Sequence, residues 1–179
     1  TTLNIGVPGT GNAFRFATQF LGTANIRGDF GIAGSSPNLT RLDAVNLTTL
    51  NVTGDLAGIV SVDRDASRFA ISGAVNGGGV RVGGLTQQFS AASLFRARLG
   101  FRGGVTTLAI AGNTTESFVF AGTDLGDDAR LGGAGVNADT LGNGNIGSAT
   151  FNGDFVRSDI AAGVVRSSTG LDRKSTRLN

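Results

Sequence analysis

The chain has 179 residues, with 30 Gly against 2 Pro, a formal charge of +2 and a sequence pI near 10.4. It contains no Cys, His, Met, Trp or Tyr, which excludes disulfides, thiolate or imidazole catalysis, Cys-based zinc sites and a Ser-His-Asp triad. Glu116 is the single glutamate, so carboxylate chemistry would rest on Asp, and no apolar run is long enough for a transmembrane helix.

The chain opens without Met, and Thr1–Gly11 carries no signal-peptide pattern, so the N-terminus reads as the interior of a longer reading frame. From there, five glycines anchor similar surroundings: Gly28, Gly54, Gly73, Gly112 and Gly153. The residues four and two before each are apolar: Ala24/Ile26, Leu50/Val52, Phe69/Ile71, Leu108/Ile110 and Ala149/Phe151. Two after come Phe30, Leu56, Val75, Thr114 and Phe155. Seven and nine after, three units agree: Val80/Val82, Val119/Ala121 and Ile160/Ala162. A period of two interrupted by glycine predicts strand, Gly-Asp corner, strand, then a Gly-rich corner.

The intervals between anchors are 26, 19, 39 and 41 residues. The third equals about two units of twenty. The fourth carries a Gly/Asp-rich insertion at about 122–145, and the first is loosened by Ser35-Ser36-Pro37-Asn38. A short strand unit cannot bury its apolar face alone, but stacked copies can. The expected fold is therefore all-β: a right-handed parallel β-helix or related β-solenoid with coils of about 20 residues, residues 1–171 forming one repeat segment of a longer protein. The alternative is an antiparallel β-sandwich or barrel, which also spaces short strands regularly.

Several segments resemble the large secreted or surface-exposed repeat proteins of bacteria with planctomycete-like genomes. They are Leu50-Asn-Val-Thr-Gly-Asp-Leu56, Ala121-Gly-Thr-Asp-Leu-Gly-Asp-Asp128, Ile146-Gly-Ser-Ala-Thr-Phe-Asn-Gly-Asp-Phe155 and Ser158-Asp-Ile-Ala-Ala-Gly163. The resemblance covers most of Leu21–Gly163 loosely. It implies stacked solenoid coils, an extracellular location and adhesive or scaffold roles, and it supplies no catalytic residue. After Gly163 the chain departs from that pattern into Val164-Val165-Arg166.

Candidate sites follow in chain order. Asp63 and Asp65 occupy alternate positions, as a carboxylate pair for sugar chemistry would. In Phe95-Arg-Ala-Arg-Leu-Gly-Phe-Arg102, alternation sets Phe95, Ala97, Leu99 and Phe101 on one face and Arg96, Arg98 and Arg102 on the other. Such an arginine ladder suits carboxylate or sulfate groups of an anionic glycan; an ordinary exposed strand face is the plainer account. Asp124, Asp127 and Asp128, with Asp139 beyond a glycine-rich loop, are candidate calcium ligands, although the spacing is neither an EF-hand nor a Gly/Asp nonapeptide repeat. Turn-forming Asp and Gly in a solvated loop are the plainer account. Gly9-Thr10-Gly11 and Gly132-Gly133-Ala134-Gly135 read as turns, not phosphate loops. Asn38, Asn46, Asn51 and Asn113 open Asn-x-Thr sequons.

The last eight residues, Asp172–Asn179, read DRKSTRLN and resemble the translation of a common sequencing-library adapter in all eight positions. They include the only lysine, Lys174, and are set apart from fold reasoning as a non-native tail. Without Arg173, Lys174, Arg177 and Asp172, the 15 basic and 13 acidic residues become twelve of each, so charge no longer argues for a polyanionic partner. The expected function is a non-enzymatic structural or adhesive segment of an extracellular or cell-surface repeat protein. Its partners would be surface polysaccharide or other cell-surface proteins, with no nucleic acid and no membrane insertion. The alternatives are a carbohydrate-active β-helix enzyme (polysaccharide lyase or glycoside hydrolase) and a glycan-binding module. Calcium apart, no cofactor is expected.

Overall fold

The computed structural model describes residues 1–6, 15–34, 40–163, 165–167 and 170–172. The strands begin with β1 (Thr2–Gly6), β2 (Arg15–Arg27), β3 (Arg41–Val52), β4 (Ile59–Val62), β5 (Ala66–Asn76) and β6 (Gly79–Val82). Next come β7 (Thr86–Phe95), β8 (Arg98–Phe101), β9 (Gly104–Ile110), β10 (Thr114–Thr115), β11 (Phe118–Ala121) and β12 (Thr123–Asp124). The last are β13 (Thr140–Leu141), β14 (Asn145–Phe151), β15 (Phe155–Val156), β16 (Asp159–Ala161), β17 (Val165–Ser167) and β18 (Gly170–Asp172).

The principal sheet is parallel, and ten of its strands curl through 305°, so the architecture is a β-solenoid. Pairing between successive coils is parallel throughout that sheet, which excludes the antiparallel sandwich. Each coil has three faces. On the first, the stack Ala24–Leu50–Phe69–Phe89–Leu108–Ala149 runs in register through β2, β3, β5, β7, β9 and β14. On the second, Phe30, Leu56, Val75, Leu94, Thr114 and Phe155 superpose. On the third, Leu42, Val60, Val80, Leu99, Val119 and Ile160 do the same. These are the apolar positions that recur around the glycine anchors.

The interior is apolar and closely filled, with Phe69, Phe89 and Phe101 fully buried. The ring centroids lie 5.8 Å apart for Phe69–Phe89 and 5.7 Å apart for Phe89–Phe101. Tilted and edge-on pairs of this kind add about 0.5–1.5 kcal/mol each beyond burial. Along the second-face stack, Thr114 is an exception: its hydroxyl is buried without a hydrogen-bond partner among the described residues.

The corners explain the glycines. After the first face, an Asp or Asn side-chain oxygen accepts the amide of the next coil: Asp29 from Asp55 N at 2.8 Å, Asp55 from Ala74 N at 2.8 Å, and Asn113 from Asp154 N at 2.9 Å. Gly54, Gly73 and Gly153 lie against those same oxygens, where a Cβ would overlap them. The corner after the third face repeats the device, with Asp65 accepting from Leu85 N at 2.8 Å beside Gly84. None of these four glycines has a positive φ, so close approach between coils, not backbone freedom, selects them.

The 39-residue interval holds two coils, as its length predicts. The first-to-second-face corner of the coil at Thr86–Arg102 is one residue shorter than that of the coil before it. Ile71 pairs with Ala91 but Ala74 with Ser93, so Ala92 alone stands where Ser72 and Gly73 stand below. The 41-residue interval is one coil plus a strap between β11 and β14. Ser35–Asn38 lies outside the described residues, as do the seven tail residues after Asp172, which pairs with Val165 in a β17–β18 hairpin.

Replacing Gly73 with Ala should cost about 1–3 kcal/mol, because the new methyl meets Asp55 Oδ1 and comes within 2.6 Å of the Gly54 carbonyl. Thermal melting should record a fall of roughly 2–10 °C. Thr114→Val should act oppositely, removing an unsatisfied hydroxyl for a gain of about 1 kcal/mol; a lower melting temperature would contradict the assignment.

Candidate functional site: a polar cleft beside the docked strap

The third face carries the only outer surface on which chain from elsewhere is seen to dock among the described residues. In β4 all four residues are buried, so even the outward Ile59 and Ser61 are covered. Two glycines provide the seats for the strap. A Cβ at Gly79 would fall 2.7 Å from the Ala129 methyl, and one at Gly100 would fall 2.7 Å from Leu125 Cγ. Leu125 and Ala129 are accordingly buried. The strap closes on itself where β12 pairs antiparallel with β13, Thr123 opposite Leu141.

Arg81, projecting from β6, ties the strap to the coils. It meets Asp124 bidentately, Nε to Oδ1 at 2.5 Å and Nη2 to Oδ2 at 3.1 Å. Its Nη1 also donates to Ser61 Oγ at 2.8 Å and to Asp63 Oδ1 at 2.9 Å. Burial by itself would lower the Arg81 pKa, but the hydrogen bonds and charges of Asp124 and Asp63 outweigh it and raise the value. Two coils earlier, Arg41 donates to Asp43 at 2.6 Å and to the Asp127 backbone oxygen. Two arginines, two coils apart on the same face, therefore grip one strap.

Between the strap and the earlier coils lies a polar cleft of about 690 Å³. Arg15, Phe16 and Ala17 line it from β2, and Arg41, Asp43 and Ala44 from β3. Ser61, Asp63 and Arg81 form its floor, and Asp127, Asp128 and Asn137 form the strap wall. The volume falls within the range of about 300–1,000 Å³ typical of small-ligand sites.

The arginine ladder is not assembled. Arg96 adopts φ 50° at the corner between second and third faces, which breaks the alternation of Phe95–Arg102. Arg96 stacks over the Phe95 ring at 5.0 Å and pairs with Glu116 at 2.9 Å. Arg98 stands on β8, where burial and then the charge of Arg130 lower its pKa. Arg102 lies past the end of β8 at the next corner. The three occupy different places around one coil and present no common face.

The acidic loop is likewise divided. Asp124 is committed to Arg81, Asp128 accepts from Arg130 N at 3.1 Å, and Asp127 Oδ1 lies 3.8 Å from Arg81 Nη1. Among the described residues, no three carboxylates converge on a position that could hold a metal ion. Asp63 and Asp65 also separate: Asp63 faces the cleft and Asp65 binds the Leu85 amide at the corner. Of the sequons, Asn51 donates to Asn25 at 2.8 Å and Asn113 accepts from Asp154, so both side chains join coils. Asn38 and Gly9-Thr10-Gly11 lie outside the described residues.

The sequence reading missed Arg41, Arg81 and the seats. Its available signal was Gly79 and Gly100, small residues at outward positions of a strand repeat that mark a face approached by other chain. No family model, curated protein or solved structure matches the chain.

One strap residue titrates with a defined sign. Asp139 Oδ2 accepts from Gly132 N at 2.7 Å, while its buried Oδ1 has no partner among the described residues. Burial raises its pKa, the Gly132 hydrogen bond opposes this, and the charges of Asp128 and Asp124 add to the rise. A carboxyl raised on folding contributes stability below its unfolded pKa and loses it as pH climbs through the folded value. Asp139→Asn should abolish that acid-side gain and stabilise the strap at neutral pH. Amide exchange of residues 122–144, measured from pH 3 to 7, checks both effects.

Proposed function

We propose that this chain is a non-enzymatic structural and adhesive segment of an extracellular or cell-surface repeat protein, presenting a rigid solenoid surface to polysaccharide or to other surface proteins. The supporting observation is the coil-to-coil bonding. Interior stacks, corner carboxylates and parallel ladders join each coil to its neighbours, which suits a load-bearing rod. Nucleic acid is not among the proposed partners, since the chain without its adapter-like tail is charge-balanced. No helix among the described residues is long and apolar enough to cross a membrane.

The cleft favours a second reading, a carbohydrate-active enzyme, because it gathers Asp43, Asp63, Asp127 and Asp128. Acid–base hydrolysis needs two carboxylates in contrasting environments across the scissile bond. Here Asp43 faces Arg41 and Asp63 faces Arg81, each within 2.9 Å, so the scaffold reading is preferred.

Pulling single molecules from both ends tests the rod, and a product assay separates it from the enzyme. Unfolding should release chain in steps of one or a few coils, each coil giving about 65–70 Å for 19–20 extended residues. Incubation with a polysaccharide panel should yield neither reducing sugar nor unsaturated product. Release of either would overturn the non-enzymatic assignment.

A further inference from the structure

We infer that the cleft between the strap and β2–β6 binds an uncharged, extended oligosaccharide. The inference deepens the adhesive reading, on which it rests for the source of the glycan, but its chemistry stands on the lining itself.

Three arginines and four aspartates line the cleft, so neither sign dominates. A polyanion would meet the carboxylates and a polycation the guanidinium groups, each in a partly desolvated space where like charges repel strongly. The principal charges are also neutralised in place, Asp43 by Arg41 and Asp63 by Arg81. What remains is a dense array of hydrogen-bonding groups: carboxylate oxygens that accept, guanidinium N–H groups that donate, and the Ser61 hydroxyl and Asn137 amide, which do both. A sugar hydroxyl also donates and accepts, and can bridge a paired carboxylate and guanidinium without separating them.

Geometry gives the length. The lining residues come from four successive coil levels, at Ala17, Asp43, Ser61 and Arg81. Three strand spacings of about 4.8 Å make a groove about 14 Å long, open to solvent and parallel to the solenoid axis. This suits a short stretch of a longer chain. The floor is fixed by the coils, and the wall is held by the Arg81–Asp124 pair, so little ordering is required on binding.

The test is titration of the ¹⁵N-labelled chain with cellohexaose, xylohexaose, mannohexaose and maltohexaose, with hexagalacturonate as the acidic comparator. At least one neutral hexasaccharide should shift the amides of Ser61, Arg81 and Asn137 at millimolar concentration or below, with little dependence on salt. Asn137→Ala and Asp43→Ala should each weaken binding about tenfold. Arg68→Ala, on the outer first face, should leave it unchanged. If Asp43→Ala perturbs the fold, Asn137→Ala alone decides. The inference is overturned if no neutral probe shifts the cleft at about 10 mM, if only hexagalacturonate does, or if the cleft variants bind as well as the parent. A negative titration leaves the rod-like scaffold intact, because that reading stands on the force steps and the absence of product.

Discussion

The hydrogen bond from one coil's amide to the preceding coil's Asp or Asn side chain governs the rest of this structure. Strand ladders hold coils at their spacing along the faces, but at a corner the backbone turns and its amides lose their in-line acceptors. Asp29, Asp55, Asp65 and Asn113 supply them. The acceptor must lie directly beneath the next corner, in the volume a side chain there would fill. Glycine is therefore the second half of the same interaction. Once the corners stack in this way, residues on the faces fall above their counterparts, and the apolar columns of Leu, Val, Ile and Phe follow.

A second corner is built at the cost of backbone strain. Gly77, Arg96, Glu116 and Arg157 occupy equivalent positions in four successive coils, all with φ between 46° and 72°. For the three with side chains this conformation costs roughly 1–2 kcal/mol each. Two of these are compensated along the axis: Arg96 N donates to Thr115 O at 3.0 Å and Glu116 N to Val156 O at 2.9 Å. Glu116 lies between Arg96 and Arg157, paired with both. Hydrogen bonding by Arg96, ahead of the opposing effect of desolvation, keeps the Glu116 carboxyl below its ordinary pKa. The same column carries Ser117 and Ser158, whose hydroxyls accept the amides of Ala97 and Ser117 at 3.0 Å. The single glutamate of the chain is thus a structural group.

Regular stacking makes the outer surface a lattice on which other chain can be seated. The strap uses it, with Leu125 and Ala129 over two glycines and Asp124 drawn to Arg81. Burying that ion pair carries a desolvation penalty, offset by two-point geometry and by Ser61 and Asp63 on the remaining guanidinium donors. The cleft exists because the strap covers the third face of the later coils and stops short of the earlier ones. Its charge balance follows from the same pairs that fasten the strap.

The spacing of glycines and apolar residues determined the solenoid, the two-coil interval and the place of the insertion, because those follow from a period repeated along one chain. It did not determine the direction in which the insertion folds, or that Arg96 turns a corner while Arg98 continues a strand. Both depend on contacts between residues some 20 to 90 positions apart. Arg41 with Asp127 and Arg81 with Asp124 meet only after the coils have stacked and the strap has crossed them. The acidic run at 124–128 signalled a turn-rich loop. Tertiary structure alone assigned its carboxylates to separate partners, because a buried carboxylate is stabilised by the nearest donor, wherever in the sequence that donor lies.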